Sequence, residues 1–199
     1  MKNKRSEEGG FWNIVKEVFS IVVISLIIVI PIRYFLVQPF VVKGKSMEPN
    51  FSNQQYLVIN ELDYRLHFPS RLDVIVFKYP NDPSEYYIKR VIGLPGEKIE
   101  INSGQVVIYN TDHPDGQVLD ESAYLPAGTV TKPDMIVQLD TDEYFVLGDN
   151  RDESSDSRFW GTLPSDLIIG KVWVRAFPFD KFALYSLEAI LSADLAASK

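Results

Sequence analysis

Residues 73–94 read DVIVFKYPNDPSEYYIKRVIGL. Two runs dense in Val, Ile, Phe and Tyr, 73–79 and 86–94, flank Pro-Asn-Asp-Pro, the composition of two strands joined by a turn. The same texture continues in both directions. FVV (40–42) and QYLVIN (55–60) precede it. KIEI (98–101), QVVIYN (105–110), MIVQL (135–139), EYFVLGD (143–149) and IIGKVWVRAF (168–177) follow, broken by Leu-Pro-Gly and Asn-Ser-Gly. No amphipathic helical stretch of convincing length interrupts the series before 180–195. Residues 110–134 are polar and turn-rich and read as an extended surface connection. The sequence thus predicts a mainly β domain built on a coiled antiparallel, barrel-like sheet. It contains no repeat at a solenoid period and no low-complexity run.

Upstream lies VFSIVVISLIIVIPI (18–32), bounded by Lys16-Glu17 and Arg33 and resuming as Tyr34-Phe35-Leu36-Val37. A bilayer core needs roughly 20 helical residues, which the segment reaches when Arg33 snorkels to the headgroups. A cleaved signal peptide has the same charge–apolar order, but VQPFVVKGKS, which follows, lacks an Ala-X-Ala-like site. A core helix apolar on every face needs a larger protein around it. The expected organisation is a short cytoplasmic N-terminus (1–15), a transmembrane anchor (16–37) and an extracytoplasmic β-rich domain (38–199). Lys2, Lys4, Arg5 and Lys16 precede the span and Arg33, Lys43 and Lys45 follow it, a slight bias toward an inside N-terminus.

The chain of 199 residues is long enough for one sizeable core, and its net charge is -7. The first 40 residues are slightly basic, so the acidic excess falls on the rest. That distribution argues against nucleic acid, whose phosphates call for a concentrated basic surface. Cysteine is absent, which removes disulfides, thiolate catalysis and thiolate metal sites. Two histidines, His67 and His113, are too few for a histidine metal centre and lie in turn-like sequence. No metal and no cofactor is implied.

Three segments carry the versatile side chains. GKSMEPNF (44–51) places Ser46 within ten residues of the apolar segment, though the tetrapeptide by itself also suits an ordinary turn serine. In EYYIKRVIGLPGE (85–97), strand alternation puts Tyr87, Lys89 and Val91 on one face and Ile88, Arg90 and Ile92 on the other. Two adjacent basic residues in an apolar strand cannot both face solvent. An inward lysine has its pKa lowered from about 10.4 and becomes a usable base near neutrality; a paired or snorkelling lysine is the alternative. GDNRDESSDSRFWG (148–161) crowds charges and serines after a hydrophobic strand. It lacks the glycine and terminal glutamate of a calcium loop and also suits a self-paired turn.

As a set, SMEP, RLDVIVF (71–77), YIKRVIGLPGE (87–97) and GDNRDESSDSR (148–158) match, in order, the sequence boxes of one family. From the anchor to about Pro178 the chain resembles the type I signal peptidases, Ser/Lys-dyad proteases, and in particular their short Gram-positive members. The resemblance implies Ser46 as nucleophile, Lys89 as general base and Ser154 as the hydroxyl that orients the lysine. It pairs Asp149 with Arg90 and Asp156 with Arg158 as supports. It places Phe40, Val42, Tyr87 and Ile88 along shallow apolar pockets for the side chains of Ala-X-Ala sites. The implied partners are signal peptides of exported preproteins and the lipid bilayer, with Phe40, Val41, Phe159 and Trp160 as the lipid-facing patch.

The departures are specific. Leu72 stands where the family usually has glycine and Asn50 where it has threonine. Gly44 replaces a serine that in some members donates to the oxyanion, leaving the second donor open beyond the N–H of Ser46. Residues 181–199 match nothing in the family, and oligomeric state is not legible. A self-cleaving protease of related dyad chemistry, or a non-catalytic anchored β domain, are the competing readings. A Ser/His protease is a further one, though nothing motif-like surrounds His67 or His113.

Overall fold

The computed structural model describes residues 7–35, 37–61, 64 and 67–185, and the chain divides into two compact units, 1–38 and 39–199. The first is built on one helix, α1 (Glu7–Phe35). It begins ahead of the expected span because Glu7 to Lys16 continue the helical turn before the apolar run starts. Its stretch Trp12–Val29 has a mean hydropathy of 2.0 and no buried residue, and it is long and apolar enough to cross a membrane.

The second unit is antiparallel β throughout its described pairings. One sheet contains β1 (Val37–Val41), β2 (Tyr56–Asn60), β3 (Val74–Tyr79), β4 (Asp82–Gly93), β9 (Glu143–Leu147), β10 (Leu163–Pro164), β11 (Ile168–Phe177) and β12 (Ala183–Leu184). Its order is β1-β2-β11-β3-β4-β9-β10, with β12 added on β11. The other holds β5 (Lys98–Asn102), β6 (Gln105–Tyr109), β7 (Gln117–Val118) and β8 (Met135–Gln138), in the order β7-β6-β5-β8. The mainly β, coiled antiparallel expectation holds, with open sheets and no closed barrel. Of the candidate helix over 180–195, the described part is a 3-10 turn (Phe179–Lys181) followed by β12; residues 186–195 lie outside the described residues.

The hairpin that opened the sequence reading is tighter than its composition suggests. Tyr79 pairs with Asp82, so Pro80-Asn81 alone make the turn and Pro83 lies inside β4. Between β5 and β6, Ser103 (φ +51°) and Gly104 (φ +85°) form the two-residue turn whose positive φ values match strand twist. β3 is buried from Val74 to Phe77 because both its faces are covered. Val74 and Val76 join Ile88, Leu57 and Met47 on one side, while Ile75 and Phe77 join Val91, Tyr144 and Val146 on the other.

The second sheet is tied to the first at Glu97, a buried carboxylate in the Leu94–Glu97 turn. Arg71 reaches it with both terminal nitrogens (2.8 and 2.6 Å), and Asn110 Nδ2 and the Leu94 N–H also donate to it. Burial alone would raise its pKa. The bonds from Arg71, Asn110 and Leu94 outweigh that and hold it below the usual carboxylate range. The stability it contributes is therefore present above the ordinary glutamate pKa and fades as pH falls through the lowered one. Glu97→Ala strands the Arg71 guanidinium and is expected to cost about 3 kcal/mol, read by urea unfolding at neutral pH.

Candidate active site

The loop after β1 turns sharply because its ends are stitched together. Val42 N–H donates to Gln55 O and Gln54 N–H to Val42 O, while Gly44 (φ +90°) donates to Asn53 Oδ1. Inside this loop the Phe51 N–H closes back on Met47 O (2.8 Å), and Met47 and Phe51 plug the core at 1% exposure each. Ser46 is thereby left at the surface of a cleft with its hydroxyl turned toward β4.

Lys89 is its neighbour. Its Nζ lies 2.8 Å from Ser46 Oγ and 2.9 Å from Ile88 O, and the residue is 4% exposed. Among the described residues no carboxylate forms an ion pair with it. Burial lowers its pKa from 10.5 to about 8, against the opposing pull of the Asp156 and Asp149 charges. Arg90, next in the chain, points the other way as alternation requires. It makes a two-pronged pair with Asp149 (2.8 and 2.6 Å) and donates to Leu72 O (3.0 Å). Neither basic residue faces water: Arg90 is balanced by a partner, and Lys89 is brought closer to its neutral form by desolvation. Leu72, at the expected glycine position, has φ +70°, the left-handed region that glycine adopts without strain.

The 148–158 loop packs against the serine loop at a point where no side chain fits. A Cβ on Gly148 would stand 2.1 Å from Ser154 Oγ and 2.4 Å from Ser46 O. Asn150 then donates its N–H to Ser46 O (3.0 Å) and its amide to Lys45 O (3.2 Å). Asp156 and Arg158 form the expected pair (2.7 and 2.8 Å), and Asp156 also accepts from Gly148 N–H (3.0 Å). Ser154 is buried beside Gly148, but its hydroxyl has no hydrogen bond in the structure, to Lys89 or to any other described group.

An open cleft of about 690 Å³ runs between residues 39–46 and 84–89. Phe40, Val42, Tyr87 and Ile88 line it, joined by Leu57, Val76 and Tyr86, which the sequence reading did not single out. Trp160 is not part of an exposed patch. It packs on Phe77 and Tyr79, while Val41 and Phe159 are exposed. His67 and His113 are surface residues outside the cleft. No cluster of three or more potential metal ligands occurs among the described residues.

Several supporting residues carried no local signal. Arg151 is buried, donates to Gly148 O (3.1 Å) and pairs with Glu121, thirty residues upstream, and with Thr131. Tyr124 lies under the Arg90 guanidinium (4.1 Å), and burial followed by the Glu121 charge pushes its phenol far above the usual range. The 110–134 connection is thus more than a surface link, since Tyr124 and Thr131 are buried parts of the scaffold. Asn50, unexplained from sequence, donates to Asp149 Oδ2 (2.8 Å) and Tyr124 O (2.7 Å) and so joins the two loops.

A family model for signal peptidase, peptidase S26, matches residues 15–177. The chain belongs to the S26 signal peptidase family. As a family member it is a serine endopeptidase. It is 34% identical to the probable signal peptidase I-1 of Synechocystis sp. over 86% of this chain and 87% of that one. It is 30% identical to signal peptidase IB of Staphylococcus aureus over 81% and 88%. A crystal structure of a signal peptidase I from Enterococcus faecalis superposes with a TM-score of 0.44 at 28% identity, covering 53% of this chain and 97% of that one.

Gly148→Ala forces apart the Ser46 carbonyl and Ser154. It is expected to lower peptidase turnover by about a hundredfold, because small displacements of reacting groups are that costly. Turnover of a cleavable peptide, with a thermal melt to register the accompanying strain, reads both effects.

Proposed function

We propose that this signal peptidase family member removes signal peptides from exported preproteins, cutting after small residues of the Ala-X-Ala type through a Ser46/Lys89 dyad. The observation that carries the reading is the desolvated, unpaired Lys89 amine 2.8 Å from Ser46 Oγ at the floor of the cleft. An anchored domain that merely binds a partner gives no account of so costly an arrangement.

In this mechanism neutral Lys89 accepts the Ser46 proton as the serine oxygen attacks the scissile carbonyl. Lys89, now an ammonium, returns the proton to the departing amine, leaving an acyl-enzyme on Ser46. The same amine then activates the water that releases it. The Ile88 carbonyl holds Nζ from a second side, fixing its direction. The Ser46 N–H serves the oxyanion; the Gly44 N–H is engaged by Asn53. Asp149 and Asp156 are held by Arg90 and Arg158, so neither carboxylate is free to take the lysine's charge.

The cleft suits an extended substrate. Asp82 and residues 86–89 pair with β3 on one side, and β9 joins the other side only from Arg90 onward. β1 ends the sheet's order, so it too has one free edge. A peptide laid between these edges gains main-chain hydrogen bonds and presents alternate side chains to Phe40, Val42, Tyr87 and Ile88. Those walls exclude large side chains, which is how an apolar pocket discriminates. In this reading α1 is the anchor, and the catalytic unit works on the extracytoplasmic side of the cell membrane, where signal peptides emerge.

The test is preprotein processing by the full chain in detergent. Ser46→Ala and Lys89→Met are both expected to be inactive. Burial penalises the ammonium, so Lys89→Met is expected to melt at or above the wild-type temperature. Wild-type kcat/KM is expected to rise with pH and level off above about 8, as the lysine loses its proton. An active Ser46→Ala chain, or a rate that does not change between pH 6 and 9, refutes the dyad.

A further inference from the structure

The family match ends at Phe177, and the chain beyond it reads PFDKFALY to Tyr185. This short stretch folds back onto the catalytic unit. β12 pairs with β11, placing Leu184 opposite Val174 and Ala183 opposite Arg175, and the Tyr185 N–H donates to Trp173 O (2.7 Å). The return delivers the Tyr185 ring to the back of the serine loop. Its centroid lies 5.2 Å from that of Phe51, at an interplanar angle of 34°.

Arg175 completes the contact. One guanidinium nitrogen donates both to Asn50 O (2.6 Å) and to the Tyr185 hydroxyl, and the guanidinium stands 5.1 Å from the Phe51 ring and 5.5 Å from the Tyr185 ring. Phe51 and Asn50 are the last residues of the turn that begins at Ser46. Phe51 closes it through Met47 O, and Asn50 ties it to Asp149, the partner of Arg90. What supports the turn from behind is Phe51, Arg175 and a tyrosine from outside the family match.

We propose that Tyr185 is a positioning residue for Ser46. Resting on the dyad reading above, it braces the 46–51 turn from the side opposite the cleft and so maintains the approach of Ser46 Oγ to Lys89. It touches neither substrate nor the reacting atoms. Its loss therefore acts on the chemical step while leaving substrate binding at the cleft walls in place.

The experiment compares full-length wild type, Tyr185→Leu, Tyr185→Phe and Ser46→Ala in detergent. It uses a peptide with an Ala-X-Ala site, with kcat and KM measured separately and a thermal melt for each chain. Tyr185→Leu keeps apolar bulk but removes the ring. It is expected to lower kcat about tenfold with KM within about twofold of wild type, and Tyr185→Phe, which keeps the ring on Phe51, restores most of the loss. A Tyr185→Leu chain with wild-type kcat overturns the proposal. So does one that does not fold, one whose loss falls on KM, or a Tyr185→Phe chain no better than Tyr185→Leu, since each leaves Tyr185 with a general structural role or none. Activity in Ser46→Ala instead removes the dyad reading itself, and the two failures are separately visible.

Discussion

A primary amine out of water is the constraint around which this domain is arranged. Taking an ammonium into a protein interior is expensive, and most buried lysines recover the cost by pairing with a carboxylate. Here the obvious carboxylates are committed elsewhere: Asp149 to Arg90 and Asn50, Asp156 to Arg158 and the Gly148 N–H. Lys89 is left with a hydroxyl and a carbonyl as neighbours, both of which suit a neutral amine as well as a charged one. The pairing pattern of the surrounding charges is therefore as much a part of the site as the two residues at its centre.

Much of this was readable in advance, for identifiable reasons. Val/Ile/Tyr-rich runs marked nine of the twelve strands found among the described residues, because each buries side chains at a period that a sequence displays. The two-residue strands β7, β10 and β12 are too short to have a period. Alternation along β4 separates Lys89 from Arg90 on the sequence alone, and the pairs Arg90–Asp149 and Arg158–Asp156 are what the family resemblance of their boxes implies. Arg151–Glu121, Asn50–Tyr124 and Arg175–Tyr185 were not legible. Each joins residues from segments with no shared motif, and only the folded chain brings them together.

Two of the three departures from the family pattern, Leu72 and Asn50, acquire physical meaning in the fold. At position 72 the backbone needs a left-handed conformation so that one carbonyl can face Arg90. Glycine meets that requirement freely, and leucine meets it with strain while adding apolar packing against the second sheet's core. At position 50 the longer amide of asparagine spans two acceptors at once, Asp149 and the Tyr124 carbonyl.

Among the described residues, the arginine–carboxylate clamps Arg71–Glu97, Arg90–Asp149 and Arg151–Glu121 hold together segments that lie far apart in the chain, and Arg158–Asp156 braces its own loop. Small secreted domains commonly achieve the same by cross-linking with cystine. A scaffold fastened by guanidinium groups matures without any thiol oxidant, and no reductant can unfasten it. At Arg71–Glu97 the environment that opens the joint is an acidic one, which also silences the lysine, so framework and chemistry share one direction of failure.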